Sequence, residues 1–200
     1  MSLLSRLHQN LVFERRVRVL SERVAELLPR GATVLDVGCG DGAIDDRIGQ
    51  RRPDVAITGI DSLVRPRARV PVTRFDGRTL PFRGAAFDVV MLVDVLHHTD
   101  DPEVLLREAR RVARRAIVLK DHRRDGFLAG STLRLMDWVG NAPHGVALPY
   151  NYWPERRWRQ AFARIGLRPV VWLTDLGLYP APARWVFDRS LHFIARLEPA

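Results

Sequence analysis

Apolar positions recur along this chain at two distinct periods. Within residues 11–28, Val17, Leu20, Val24, Leu27 and Leu28 are spaced by three and four, with arginines and glutamates between them. That spacing predicts a helix with one apolar stripe, stopped by Pro29 and Gly31. The stripe can cover a sheet or pair with another chain, and covering the sheet is the expected role. Short apolar runs follow at 33–37, 55–60, 70–75, 87–93 and 116–120, rich in β-branched residues, as in strands buried on both faces. Helical patterns separate them at 43–52 and 102–113, where Asp100 or Asp101 can cap and Pro102 can take the first helical position. Alternation of this kind predicts an α/β fold, a parallel sheet with helices on both faces. Residues 64–69 are few and include Pro66, so a reduced crossover is expected there. Beyond them, 154–165 reads as a helix, and the runs 169–173 and 185–194 are expected to form a closing antiparallel pair.

Neither a repeat nor a low-complexity linker breaks the 200 residues, and one domain over 1–200 is expected. Its parts are an N-terminal helical segment (1–30), a ligand-binding half (31–121) and a segment carrying the closing strands (122–200). Hydrophobic residues at 46% and charged residues at 28% exclude a largely disordered chain. No apolar run reaches the ~20 residues of a membrane span, and Arg6, His8 and Gln9 interrupt any signal-like stretch. A cytoplasmic protein is expected. The single cysteine, Cys39, excludes an internal disulfide and a cysteine-rich metal site. A net charge of +9 invites a nucleic-acid reading. However, the basic residues are 31 arginines and one lysine, Lys120, scattered along the chain and often beside acids. A coding preference explains that skew more simply than a phosphate-binding surface does, so no nucleic-acid partner is expected.

The sharpest chemical signal is the run Val34-Leu35-Asp36-Val37-Gly38-Cys39-Gly40-Asp41-Gly42, a buried strand ending in a turn with glycine at alternate positions. Glycines let a ligand approach the main chain without meeting a β-carbon, and the turn lies where open α/β sheets bind ligands. Gly38, Gly40 and Ala43 satisfy the dinucleotide fingerprint, with Asp61 at about the distance of a ribose acid. Two further details favour S-adenosylmethionine: Asp36, where a carboxylate can orient a cationic amino-acid group, and the third alternate glycine, Gly42.

With these residues the chain resembles class I S-adenosylmethionine-dependent methyltransferases, and is similar to the branch that includes ubiquinone and menaquinone biosynthesis enzymes. The match covers about residues 33–120. The resemblance implies a Rossmann-like, doubly wound, seven-stranded sheet, mostly parallel with an antiparallel closing strand. It implies a cofactor site of Asp36, Gly38, Cys39, Gly40, Gly42, Asp61, Ser62, Asp76, Gly77 and Asp94. Asp61, in Thr58-Gly59-Ile60-Asp61, would bind the ribose hydroxyls, Asp76, in Phe75-Asp76-Gly77, would lie beside adenine, and Asp94 would line the methionine end. S-adenosylhomocysteine would be the product. The chain departs from the family in lacking a Lys-Pro-Gly-Gly-like turn before the fifth strand, where it has Arg111-Val112-Ala113-Arg114-Arg115-Ala116. After Asp121 it matches no generic motif.

Methyl transfer is an in-line displacement that needs alignment and exclusion of water, with a base only where the acceptor loses a proton. His98, His97 and His122 are the candidate bases; loop capping is the competing role for the first two. Asp94, Asp121 and Asn141 offer oxygen ligands to a hard cation, but their spacing does not match a metal-dependent pattern, and no metal is expected. Leu135, Trp138 and Val139 share a helical face suited to core packing. Residues 143–153, including Pro143, His144, Leu148, Tyr150, Tyr152 and Trp153, are suited to a lid over an acceptor. Trp138, Tyr150, Tyr152 and Trp153 are therefore candidate acceptor contacts. The expected function is methylation of a small, hydrophobic or aromatic acceptor at oxygen or carbon, by a monomer or homodimer. An RNA or protein methyltransferase and a non-catalytic cofactor-binding partner subunit are the alternatives.

Overall fold

The computed structural model describes residues 3–141 and 149–200. Helix α1 (Leu3–Leu27) leads into β1 (Thr33–Val37), α2 (Ala43–Arg51), β2 (Ala56–Asp61), β3 (Val72–Arg74) and β4 (Phe87–Val93). A 3₁₀ turn (Leu96–His98) precedes α3 (Pro102–Val112), β5 (Ala113–His122) and α4 (Ala129–Asn141). Then come α5 (Glu155–Arg164), β6 (Leu167–Leu173), the short α6 (Arg184–Phe187) and β7 (His192–Pro199). The strands form one seven-stranded sheet in the order β3-β2-β1-β4-β5-β7-β6. β1 to β5 pair in parallel, and β7 runs antiparallel to both β5 and β6.

The period-two side-chain alternation of a strand divides the core into two halves. Val90 and Leu92 of β4, with Ile117 and Leu119 of β5, face α3 and α5 and pack with Leu105, Leu106, Trp158 and Phe162. Val89, Met91, Ala116 and Val118 point the other way, onto Val24, Ala25 and Leu28 of the α1 end and Ile48 of α2. The stripe of α1 therefore covers the sheet. At α3, Asp101 is the cap, its carboxylate accepting from the Glu103 amide at 3.0 Å, with Pro102 opening the helix. Such a cap is worth about 1 kcal/mol. No helix joins β2 to β3, as the Pro66 segment predicts. α3 runs straight into β5, which explains how the chain dispenses with a glycine turn there.

Two expectations are corrected. The closing strand is His192–Pro199 rather than 185–194, and Trp185 lies in α6 with its side chain exposed. Leu135, Trp138 and Val139 of α4 are exposed instead of packed in the core. The buried side of α4 carries Ala129, Leu133 and Asp137. Among the described residues no helix is long and apolar enough to cross a membrane.

Candidate functional site

The strand order reverses between β1 and β4, and the carboxyl ends of the parallel strands converge beside that switch point. The turn after β1 has left-handed backbone at Gly38 (φ 77°), Gly40 (φ 62°) and Gly42 (φ 72°). A β-carbon at Gly38 would also meet Val95 Cγ2 at 2.5 Å, while one at Gly40 would have only Arg65 Nε near, at 4.0 Å. Glycine is therefore required at Gly38 by packing as well as by backbone angle, and at Gly40 the main chain is left open to approach. Asp61, at the end of β2, accepts from the Gly40 amide with Oδ2 and from the Leu63 amide with Oδ1, both at 2.8 Å. Each oxygen keeps a second lone pair for a hydroxyl donor. Ser62 and Gly77 lie next to each other, and the exposed Asp76 accepts from Thr79 and Arg78, amides that hold its carboxyl below the usual range.

Behind the turn lies a feature that the residue pattern did not disclose. Asp36 of β1 and Asp45 of α2 are both buried, and Asp36 Oδ1 and both oxygens of Asp45 lack a satisfying partner. Burial first, and then Asp45, push the Asp36 carboxyl well above its usual range. Burial raises Asp45 to about 6, with Asp41 adding to the rise and the contact with Asp36 opposing it. Burial and the charges of Asp36, Asp45 and Asp61 also raise the Cys39 thiol, so it is not a nucleophile here. Unsatisfied buried carboxylates beside an open glycine turn suit a cationic ligand and repel a pyrophosphate. The ammonium and sulfonium of S-adenosylmethionine fit these surroundings; a dinucleotide does not. Asp45 was legible in one respect: it sits three positions before the buried Ile48, on the same helical face.

At the ends of β4 and β5 lies a second, buried polar cluster. Asp121 accepts from His97 Nδ1 at 2.7 Å, from the Leu96 amide at 3.0 Å and from the His122 amide at 2.7 Å. His97 Nε2 approaches Asp137 of α4 at 3.5 Å, and Asp137 in turn accepts from Tyr152 Oη at 2.6 Å. Burial works against charge on His97, but Asp121 and Asp137 outweigh it and raise its pKa to about 10. His97 is thus an imidazolium clamped between carboxylates. His122 is driven the other way, first by burial and then by Lys120 and His97, and stays neutral. His98 is the least buried of the three, with Nε2 3.8 Å from Asp137. Asp94, in a left-handed turn (φ 58°), pairs with Lys120 and, at 3.2 Å, with Arg16 of α1. Burial would raise its pKa, but these two cations hold its carboxyl well below the usual range.

The remaining candidates are dispersed. Tyr152 is buried, its hydroxyl donated to Asp137, with the Leu133 carbonyl 3.2 Å away. Trp153 is a core residue against Trp158, with Nε1 donating to Asn151 at 2.9 Å. Tyr150 is half-buried, and Trp138 projects from the outer side of α4. Pro143, His144 and Leu148 lie outside the described residues, as does the side chain of Asn141. Ligating atoms of Asp94, His97 and His122, and separately of His97, His98 and Asp137, come within 4.8 Å of one another. Of these, Asp94, His97 and Asp137 are engaged in the ion pairs just described. Asp45, Asp137, Lys120 and Arg16 are the site residues that pattern reading missed. Lys120 carried a signal, since with Asp121 it closes the apolar run 116–119 inside a buried strand.

A family model described as a methyltransferase domain matches residues 12–171. The chain is 36% identical over 110 residues to 27-O-demethylrifamycin SV methyltransferase of Amycolatopsis mediterranei, a match covering 48% of this chain and 40% of that protein. It is 30% identical over 145 residues to 2-methyl-6-phytyl-1,4-hydroquinone methyltransferase of Synechocystis, covering 68% and 40% respectively. These matches thus span less than half the length of those relatives. Among solved structures, a SAM-dependent methyltransferase from Thermotoga maritima, described as a possible histamine N-methyltransferase, superposes with a TM-score of 0.66. Its identity is 16%, and the match covers 99% of this chain and 96% of that one.

Proposed function

The chain belongs to the methyltransferase-domain family, and from that premise we propose that it moves a methyl group from S-adenosylmethionine to oxygen or carbon of a small-molecule acceptor. The observation that carries this reading is the pair of buried, unsatisfied carboxylates, Asp36 and Asp45, behind a glycine turn. S-adenosylmethionine supplies an already activated methyl on a sulfonium. Asp61 holds the nucleoside hydroxyls, and Asp36 with Asp45 neutralises the ammonium. The Asp94–Lys120–Arg16 triplet fixes the floor of the site. Where the acceptor is a hydroxyl, His98 takes its proton, and the His97 imidazolium keeps Asp121 and Asp137 in place around it. The relatives named above act on small molecules and support this class over RNA or protein.

Titration calorimetry with S-adenosylhomocysteine and with a nicotinamide dinucleotide tests the proposal. The homocysteine nucleoside is expected to bind, with Asp61→Ala weakening it about tenfold or more. Binding of the dinucleotide alone would refute it. Mass spectrometry of candidate acceptors, looking for gain of one methyl, then identifies the substrate, and His98→Gln is expected to slow transfer without changing cofactor affinity.

A further inference from the structure

A cavity of about 170 Å³ opens at the start of α4, lined by Arg124, Gly130, Ser131, Arg134, Tyr150 and Tyr152. It is distinct from the glycine turn, and its volume far exceeds the ~30 Å³ share of one water. Several arginines elsewhere stand against carboxylates, as Arg52 does with Asp54 and Arg111 with Glu108. Arg124 and Arg134 have no carboxylate partner among the described residues, and the segments outside the description contain no Asp or Glu.

Both groups are held in place by neighbours. The stem of Arg124 lies across Gly130, where a β-carbon would come within 3.3 Å of Arg124 Cδ. The guanidinium of Arg134 sits over the Tyr150 ring, 5.5 Å from its centroid. Stacking and a packed stem restrict the two side chains before a ligand arrives, which lowers the entropy lost on binding. Ser131 adds a hydroxyl to the lining. The far wall, Tyr152, is stacked on His97 at 5.6 Å and meets His122 edge-on at 5.8 Å, so one aromatic ring separates the cavity from the histidine cluster.

Two planar cationic donors, a hydroxyl and no counter-charge are the requirements of an oxyanion, and guanidinium suits phosphate in particular. We propose that this cavity is a phosphate subsite, and that the molecule methylated carries a phosphate ester which docks there. The assignment of the docked molecule as the acceptor rests on the methyltransferase reading; the anion site itself does not.

The experiment titrates phenyl phosphate, phenol and inorganic phosphate into the full chain by calorimetry, with S-adenosylhomocysteine titrated into the same preparations. Phenyl phosphate is expected to bind more tightly than phenol, and to weaken as salt rises. The variant Arg124→Ala/Arg134→Ala should lose about tenfold per guanidinium while keeping its affinity for S-adenosylhomocysteine. Gly130→Ala, which displaces only the Arg124 stem, should produce a smaller loss. Equal affinity of wild type and the double variant for phenyl phosphate would overturn the proposal. So would arginine-dependent binding to phosphatidylglycerol vesicles without binding of phenyl phosphate, which would make these arginines a membrane-facing patch. Loss of phenyl phosphate binding in the double variant, in a protein that never binds S-adenosylhomocysteine, would keep the subsite and remove the methyl-transfer reading.

Discussion

Asp45 shows how much one side chain can decide at this site. Its carboxyl is raised from 3.8 to about 6 by burial, so between those values the folded protein holds a proton that the unfolded chain has released. Its contribution to stability is therefore complete below about pH 4 and is lost as pH rises through 6. Asp45→Asn removes that loss. The ligand-free variant is expected to exceed wild type above pH 6 by about 1–3 kcal/mol, while binding S-adenosylhomocysteine more weakly. Thermal melts from pH 4 to 7, paired with calorimetry, check both halves; a variant less stable at pH 7 with unchanged affinity would contradict the account. Asp36 was readable because it precedes a glycine turn, and Asp61 because it ends the next apolar run at about the distance of a ribose acid. Asp45 was hidden by Asp46 beside it, since two consecutive acids in a first helical turn read as solvated charge, and only the register to Ile48 separates them.

Between elements, the tie that matters joins the β4 end, the β5 end and α4. His97 carries it as an imidazolium with a pKa raised to about 10, against 6.5 in the unfolded chain. The stability it contributes is fully present below pH 6.5 and disappears as pH rises through about 10. Wild type is thus expected to weaken steadily over that alkaline interval. His97→Gln should cost about 3–5 kcal/mol at pH 7, because it leaves buried carboxylates without their charge partner, and should flatten the alkaline slope. Chemical denaturation at pH 6, 8 and 10 measures both effects, and an undiminished slope in the variant would assign the titration elsewhere. The strands and α3 were legible because burial on both faces leaves unbroken apolar runs, and because Pro102 after two aspartates marks a helix start, the structure choosing Asp101 as the cap. α4 was misread in orientation. Its polar Asp137 points inward to His97 and Tyr152 while Trp138 points outward, which inverts the usual rule that apolar residues mark the buried side. β7 was displaced because Arg196 and Glu198 interrupt its apolar pattern, although Phe193, Ile194, Ala195 and Leu197 are buried.

Over the whole molecule, the basic excess proves less informative than the placement of a few charges. The order β3-β2-β1-β4-β5-β7-β6 was anticipated in class, because alternating strand and helix leaves few topologies. The arginine-lined cavity was not, since it depends on residues from three separate stretches meeting around α4. One consequence follows from the position of Lys120. It is the chain's one lysine, its side chain is wholly enclosed, and the ammonium is spent on Asp94. Acylating reagents that seek primary amines therefore have no lysine side chain to attack while the protein is folded. Each adduct at Lys120, counted by peptide mass spectrometry, should record a rare excursion in which the sheet centre parts. Its rate should climb with denaturant in step with unfolding, and prompt labelling of the native protein would show that the enclosure leaks. The protein thus contains its own clock for breathing motions, with no probe to engineer.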